Sequence, residues 1–118
     1  MLYNIKISDT NADVGDNIIV KLIDISFGEQ ASNDKIVKEL QETVKRFKKE
    51  VSGSLLLVNA PASLPVNSFL THAFCHLAKA MGFYDPKLNA YLVTITHDPQ
   101  FKIGDLITIP KLLLPVTE

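Results

Sequence analysis

The chain has 118 residues, with 12 lysine and arginine residues against 13 aspartate and glutamate residues, a formal net charge of -1. A chain of this length buries roughly two-thirds of its unfolded surface, so we expect a single domain over residues 1–118 without metal or disulfide staples. The charge balance gives no electrostatic case for duplex DNA or an anionic membrane as a partner, whereas a small phosphate ligand needs only a local patch.

The sequence also predicts a soluble, cytoplasmic protein. Its N-terminal residues, MLYNIKISD, lack the basic region and apolar core of a secretory signal. The apolar runs are far shorter than the about 20 residues that span a bilayer. Cys75 is the one cysteine, so the chain has no internal disulfide of the kind that secreted domains use.

Four elements are predicted in the first half of the chain. Residues 2–8 alternate in the manner of a half-buried strand, and residues 18–27 supply a second strand that is expected to pair with the first as a hairpin. Residues 33–50 carry apolar side chains at helical spacing, and Asn33 is placed to cap this helix. The run GSLLLVNA that follows is typical of a central strand covered on both faces.

The second half predicts another helix and three more strands. The helix runs from about residue 64 to residue 78, with Ser63 as its cap. Residues 82–84 and 90–96 are predicted strands joined by the turn DPKLN, and GDLITIP supplies the last strand. This order predicts an α+β sandwich in which two helices pack on one mostly antiparallel sheet. The order of the strands in the sheet does not follow from the sequence.

A polar seam on the second helix is the main candidate for chemistry. It consists of Ser68, His72, His76 and Lys79, which fall on one line apart from the apolar stripe. If the strand that ends at Asp85 packs beside the helix, Asp85 returns to this seam. A histidine and an aspartate together can bind Mn²⁺ or Mg²⁺, or act as a base with an orienting carboxylate. The spacing H-x-x-x-H is also common among surface histidines, so both interpretations stay open.

Residues 59–107, above all FLTHAFCHLAKAMGFYDPKLNAYLVTITHDPQFKIGDLI, resemble the small ring nuclease family of type III CRISPR systems. Members share a helix with two spaced histidines, a Tyr-Asp-Pro-Arg-Leu-Gly turn, a strand, a histidine and a Gly-Asp near the C-terminus. The resemblance implies a ferredoxin-like fold and a homodimer. It further implies that two dimers bridge one cyclic tetra-adenylate and linearise it with manganese, replaceable by magnesium, which ends an antiviral signal.

The resemblance also assigns roles to residues of this chain. The family's catalytic histidine falls on His76, its upstream histidine on His72, its turn aspartate on Asp85 and its turn arginine on Lys87. His76 and Asp85 are the implied metal ligands. Expected contacts with the cyclic tetra-adenylate involve the helix N-terminus, the seam and the later histidine: Ala60, Pro61, Ser63, Asn67, Ser68 and His97.

Three departures from the family pattern bear on activity. Lys87 replaces the arginine whose fork holds a phosphate by two parallel hydrogen bonds. Asn89 replaces the turn glycine, although asparagine tolerates the left-handed conformation. His97 lies one residue further from Asp85 than the family's histidine does.

Other functions therefore stay open beside ring cleavage. The chain fits a non-catalytic sensor of cyclic oligoadenylate, a manganese-dependent RNA 3′-exonuclease, or a dimeric structural domain with the polar seam in its interface. For single residues, the alternatives are that His72 only supports His76 and that Asp85 only forms an Asx turn.

Overall fold

A computed structural model describes residues 3–15, 17–27, 31–61 and 63–110. None of the helices in these ranges is long and apolar enough to cross a bilayer. The strands are β1 (Tyr3–Asp9), β2 (Val20–Phe27), β3 (Leu55–Asn59), β4 (Ala80–Asp85), β5 (Ala90–Thr96) and β6 (Leu106–Ile107), and the helices are α1 (Asn33–Thr43), α2 (Lys48–Val51) and α3 (Leu64–Phe74).

The six strands form one sheet in which the strand order follows the chain order. β1 and β2 form the expected antiparallel hairpin, and the pairs β4–β5 and β5–β6 are also antiparallel. The central pairs β2–β3 and β3–β4 are parallel, so each needs a crossover, and the helices supply these crossovers. The predicted α+β class, with helices on one mostly antiparallel sheet, is confirmed.

The main core lies between the helices and one face of the sheet. Leu40 of α1 and Val66 of α3 are 0% and 1% exposed, and they pack in one cluster with Leu56 of β3. The opposite face is apolar near the start of the parallel strands, where Val20, Leu55 and other side chains pack with residues of the loops before β2 and after β5. β3 is therefore covered on both faces, as its continuous apolar run predicts.

One of the two predicted cap residues is wrong, and neither helix has a side-chain capping hydrogen bond. Ser32, rather than Asn33, occupies the N-cap of α1, and its side chain makes no capping hydrogen bond. Ser63 does occupy the N-cap of α3, but its hydroxyl does not cap the helix either. The Ser63 hydroxyl instead donates to Oδ1 of Asn33 at 2.9 Å. The two side chains thus join the N-termini of two helices that are 30 residues apart in sequence.

The predicted helix over residues 64–78 is too long, because α3 ends at Phe74. Beyond this point the chain makes turns that are tied to the segment before β3. The Lys79 N–H donates to the carbonyl of Ser54 at 2.7 Å, and the Gly53 N–H donates to the carbonyl of Leu77 at 2.8 Å. These bonds direct the chain into β4, which begins at Ala80, two residues before the predicted strand. His76 consequently lies in a turn and not on a helix.

The burial of Leu40 between α1 and the sheet predicts that Leu40→Ala strongly lowers the stability of the folded protein. This substitution removes a fully buried side chain and leaves a cavity, so we expect the free energy of unfolding to fall by about 2–5 kcal/mol. Urea unfolding measures the loss, with Lys38→Ala on the exposed side of the same helix as the control, expected within about 0.5 kcal/mol of the parent. Equal stability of the two variants would contradict this description of the core.

Candidate functional site

A cavity of about 390 Å³ opens where β3 and β4 end and α3 begins. Three of the residues expected to bind a ligand, Ala60, Pro61 and Asn67, line it together with Val58, Asn59, Phe83, Tyr84 and Pro86. The carboxyl ends of parallel strands are a common place for ligands in sheets with crossover helices. The structure therefore brings part of the predicted binding set together at such an edge.

The N-terminus of α3 offers fewer backbone donors to this cavity than the sequence implies. Pro65 has no N–H, and the Asn67 N–H donates to the carbonyl of Ser63 at 3.0 Å. The N–H groups of Leu64 and Val66 are first-turn donors that have no acceptor within the helix. An anion at this helix end would meet these two groups, together with the positive end of the helix dipole.

Pro86, in the turn from Asp85 to Asn89, lines another side of the cavity, and the other residues of this turn do not line it. One carboxylate oxygen of Asp85 accepts the Lys87 N–H at 2.9 Å, and the Asp85 carbonyl accepts the Leu88 N–H at 3.1 Å. Asp85 thus has the Asx-turn role that the sequence left open, and its second carboxylate oxygen is not used in that bond. Asn89 has a φ of 51°, so it adopts the left-handed conformation that asparagine tolerates.

A row of side chains crosses the sheet beside the cavity, on the face away from the helices. Asp24 lies in register with Asn59, and the Asn59 side-chain N–H donates to Oδ1 of Asp24 at 3.1 Å. On the next strand Phe83 is in register with Val58, so Asn59 and Tyr84 are the following residues on neighbouring strands. We call Asp24, Asn59 and Tyr84 the polar row.

Sequence reasoning missed the polar row, although two signals were present. Asp24 lies between the buried residues Ile23 and Ile25 of β2, and Asn59 ends the continuous apolar run of β3. A polar side chain at such a position needs a partner. Only the strand register shows that these two side chains are partners and that Tyr84 lies next to them.

The histidines of the polar seam lie elsewhere. His72 is exposed near the end of α3, and Ser68 is exposed one turn before it. The ring of His76 stacks on the ring of His97, with centroids 5.9 Å apart and planes 26° apart. His97 Nε2 lies 2.8 Å from the carbonyl oxygen of Cys75. Because a carbonyl only accepts, this nitrogen of His97 carries the proton.

The histidine pair and the aspartate turn are at opposite ends of β4. The His97 N–H donates to the carbonyl of Lys79, next to the first residue of β4, whereas Asp85 is the last residue of that strand. Five residue steps at about 3.3 Å separate the strand ends by about 17 Å. One chain therefore does not bring His76 and Asp85 together, and a role in one site requires two copies of the chain.

The distance between His76 and Asp85 also decides whether one chain can bind the expected metal ion. Across the ranges that the structure describes, no group of three or more His, Cys, Asp and Glu side chains could hold a metal ion. His76 and Asp85 of one chain are too far apart to bind one ion, since ligand bonds to manganese or magnesium are only about 2 Å long. The side chains of a single copy therefore do not fit the implied manganese site.

The fold defines a small α+β protein with a cavity at the ends of parallel strands, and comparisons with known proteins add its family. A family model described as CRISPR-associated protein (Cas_csx3) matches residues 50–108, half of the chain. The chain belongs to this CRISPR-associated family. The matched segment includes β3, α3, β4 and β5, and with them His72, His76, Asp85, Lys87 and His97.

A relative from Aquifex aeolicus (strain VF5), described as an uncharacterized protein, is 30% identical to the chain over 60 residues. The match covers 51% of this chain and 53% of the relative. The chain thus matches about half the length of this relative, whose description names no activity.

The environment of Tyr91 predicts a pH dependence of stability. Burial, followed by the charges of Asp24 and Tyr84, raises the pKa of Tyr91 above the ordinary value of 10.0. The folded state therefore favours the neutral phenol. This stabilisation is complete below pH 10.0 and is lost as the pH rises through the higher folded-state pKa. Urea unfolding below and above that pH should show falling stability, with a smaller fall for Tyr91→Phe; equal falls would contradict the effect.

Proposed function

We propose that the protein binds cyclic tetra-adenylate and linearises it, and so ends a type III CRISPR antiviral signal. Membership of a CRISPR-associated family supports the biological setting. The observation that carries the proposal is the cavity between the N-terminus of α3 and Pro86, whose neighbours in the turn are Asp85 and Lys87. A helix N-terminus favours a phosphate, a lysine of the turn adds a positive charge, and the carboxylate adds a group for proton transfer or orientation.

The chemistry needs a base, an orienting group and a cation. Opening the ring forms a bond between an attacking oxygen and phosphorus and breaks the bond between phosphorus and the leaving oxygen. The attacking oxygen loses a proton, the leaving oxygen gains one, and negative charge develops on the phosphate during the exchange. His76 is the proposed base, because the family's catalytic histidine falls on it and an imidazole nitrogen can accept a proton. Asp85 orients the reacting groups through the carboxylate oxygen that the turn does not use, and Lys87 stabilises the developing charge. His72 supports His76 in this proposal, and His97 contacts the ligand or the base.

Two copies of the chain must meet to assemble these groups. The proposed site places the His76 end of one copy against the Asp85 end of another, with the ring between them. A ring of four nucleotides is large enough to contact both copies at once. This arrangement agrees with the homodimer and the ligand-bridged dimer of dimers that the resemblance implies, and these assemblies are part of the proposal.

Manganese stays a prediction of the resemblance, with magnesium as its substitute. The proposed proton transfer and charge stabilisation use the chain's own side chains. If a metal takes part, its ligands must come from two copies, since a single copy does not fit a metal ion. Cleavage that requires added Mn²⁺ and stops with a chelator would support that role.

A second candidate function is a sensor that binds the ring without cleaving it. Lys87 favours this alternative, because a lysine is a point charge where the family's arginine forms a fork. Purified protein with labelled cyclic tetra-adenylate separates the candidates by cleavage, by binding without turnover, or by neither. The same preparation with an RNA that ends in adenylates tests the 3′-exonuclease alternative.

Mixing two inactive variants tests the site between copies. His76→Ala and Asp85→Ala should each lower the cleavage rate by ~10²-fold or more, with little effect on ring binding, since both groups act in the transition state. An equal mixture should recover about a quarter of the parent rate, because random pairing then joins an intact His76 end to an intact Asp85 end. Single-turnover cleavage measures the rate, and light scattering measures self-association.

His72→Ala is the matched control for this experiment, and it should cost less than His76→Ala if His72 only supports the base. Two variants that stay inactive after mixing would place the site within one copy. Parent rates for both His76→Ala and Asp85→Ala would overturn the assignment of these residues altogether. A strictly monomeric mass with and without the ring would remove the two-copy site.

Substitutions of Lys87 test the phosphate contact. Lys87→Arg restores the fork and should maintain or raise the cleavage rate, whereas Lys87→Ala should lower it. Ring affinity should weaken as salt rises from about 50 mM to about 500 mM, because screening weakens attraction to exposed charges. Equal affinity at both salt concentrations would contradict binding through phosphates. Lys45→Ala, at an exposed position on the helix layer, is the charge-matched control.

A further inference from the structure

We infer that His97 is a positioning residue for His76: it holds the turn that contains His76 and sets the orientation of the His76 ring. The inference rests on the proposed function, in which His76 is the base. It goes further by assigning His97 to the base and not to the ligand. It follows from three contacts that join His97 to the turn over residues 75–79.

Two hydrogen bonds of His97 reach this turn on either side of His76. The ring N–H at Nε2 of His97 donates to the carbonyl of Cys75 at 2.8 Å, and the backbone N–H donates to the carbonyl of Lys79 at 2.8 Å. Cys75 directly precedes His76 in the chain, and Lys79 lies at the other end of the turn. One residue from a distant segment therefore fixes both ends of the turn.

The third contact is the stack of the two imidazole rings. The centroids of the His76 and His97 rings are 5.9 Å apart, within the range of about 4.5–7 Å that is typical of attractive aromatic pairs. The bond to Cys75 holds the His97 ring in place, so the stack restricts the rotation of the His76 ring. Both residues are exposed, and a ring stacked on one face still presents its nitrogens at its edge. His76 is thus oriented and accessible at the same time.

A one-residue shift in the register of β5 against β4 brings His97 to this turn. The shift leaves Thr94 as an extra residue of β5. Without it Thr96 would lie opposite Lys79, whereas with it His97 lies there and donates its backbone N–H. Extra residues of this kind re-aim the side chains that follow them. The shift therefore places a histidine, and not a threonine, beside His76.

The contacts of His97 favour a role through the base over a contact with the ligand. The Nε2 N–H of His97 and one face of its ring are used within the chain, so neither group is available to a phosphate. A base must direct its lone pair at the proton that it removes. A histidine held in one orientation avoids the loss of alignment that slows a reaction.

Single-turnover cleavage by the full chain tests this role through the rate. His97→Ala should lower the cleavage rate by about tenfold or more, because a misplaced base loses its alignment, and should leave the affinity for cyclic tetra-adenylate unchanged. His97→Phe keeps a ring for stacking but has no N–H for Cys75, so its rate should lie between those of the parent and His97→Ala. In a His76→Ala background, His97→Ala should have no further effect, since no base is left to position.

Thr94→Ala, at an exposed position of the same strand, is the control and should cleave as the parent does. Circular dichroism confirms folding, and if His97→Ala fails to fold, His97→Phe alone and combined with His76→Ala decides. A parent rate in the folded His97 variants overturns the inference. A loss of affinity for cyclic tetra-adenylate in His97→Ala that persists in the His76→Ala background also overturns it, because that result indicates a ligand contact.

Nuclear magnetic resonance tests the orientation of His76 without a ligand. The chain has three histidines, so each imidazole can be assigned by substitution. The parent should show a proton on His97 Nε2 and vicinal couplings of His76 that report one dominant side-chain rotamer. His97→Ala should average these couplings, and His97→Phe should average them less. Equal rotamer populations of His76 in the parent and in His97→Ala overturn the inference.

The outcomes separate this inference from the proposed function. If the parent does not cleave cyclic tetra-adenylate but His97 orders the His76 side chain, the proposed activity fails and the positioning contact stands. If the parent and His97→Ala cleave at the same rate, only the inference fails.

Discussion

The parallel pairing of three central strands is the constraint on which the rest of the structure depends. β3 lies between β2 and β4 and pairs in parallel with both. Parallel neighbours cannot be joined by a tight turn, so the chain must cross the sheet's face twice. Both crossings contain helices, and both pack on the same face in one core. The apolar run of β3 is thereby buried, and the ends of the three strands meet at one edge.

That edge explains the position of the cavity, and the same constraint explains why the histidines are absent from it. α3 begins beside the end of β3 and must return the chain to the start of β4. Side chains late in α3 and in the turn after it therefore reach the opposite edge, where His76 stacks on His97. The first turn of α3 therefore lies beside the cavity, and its last turn lies near the opposite edge of the sheet. Chemistry that uses both ends needs a ligand or an assembly longer than one strand.

Local patterns predicted the elements well, and contacts between distant segments account for the errors. Residues 90–96 were predicted as a strand and form β5 with the same bounds. The apolar spacing of residues 33–50 predicted α1 and α2, although the chain makes a short 3₁₀ helix between them. The caps and the end of α3 differ because they depend on bonds such as the one from Ser63 to Asn33. Such partners are separated by tens of residues and leave no periodic signal.

The arrangement of the candidate site depends even more strongly on contacts that local sequence patterns do not predict. The residue types of the seam and the turn were visible in the sequence, but their separation depends on the direction of α3 and the length of β4. The polar row also depends on register, since Asp24, Asn59 and Tyr84 are neighbours only once three strands are aligned. The family match covers all of these residues except Asp24.

Asn89 shows how a change of one turn residue affects entropy as well as backbone geometry. A glycine at this left-handed position would avoid the steric cost that asparagine bears. Glycine has no side-chain oxygen, however, so the Tyr84 hydroxyl would lose its partner. The Tyr84 ring would then sample more orientations, and any contact that requires one orientation would first have to remove that freedom. Asparagine at residue 89 thus exchanges a small steric cost in the backbone for an aromatic ring that is already ordered.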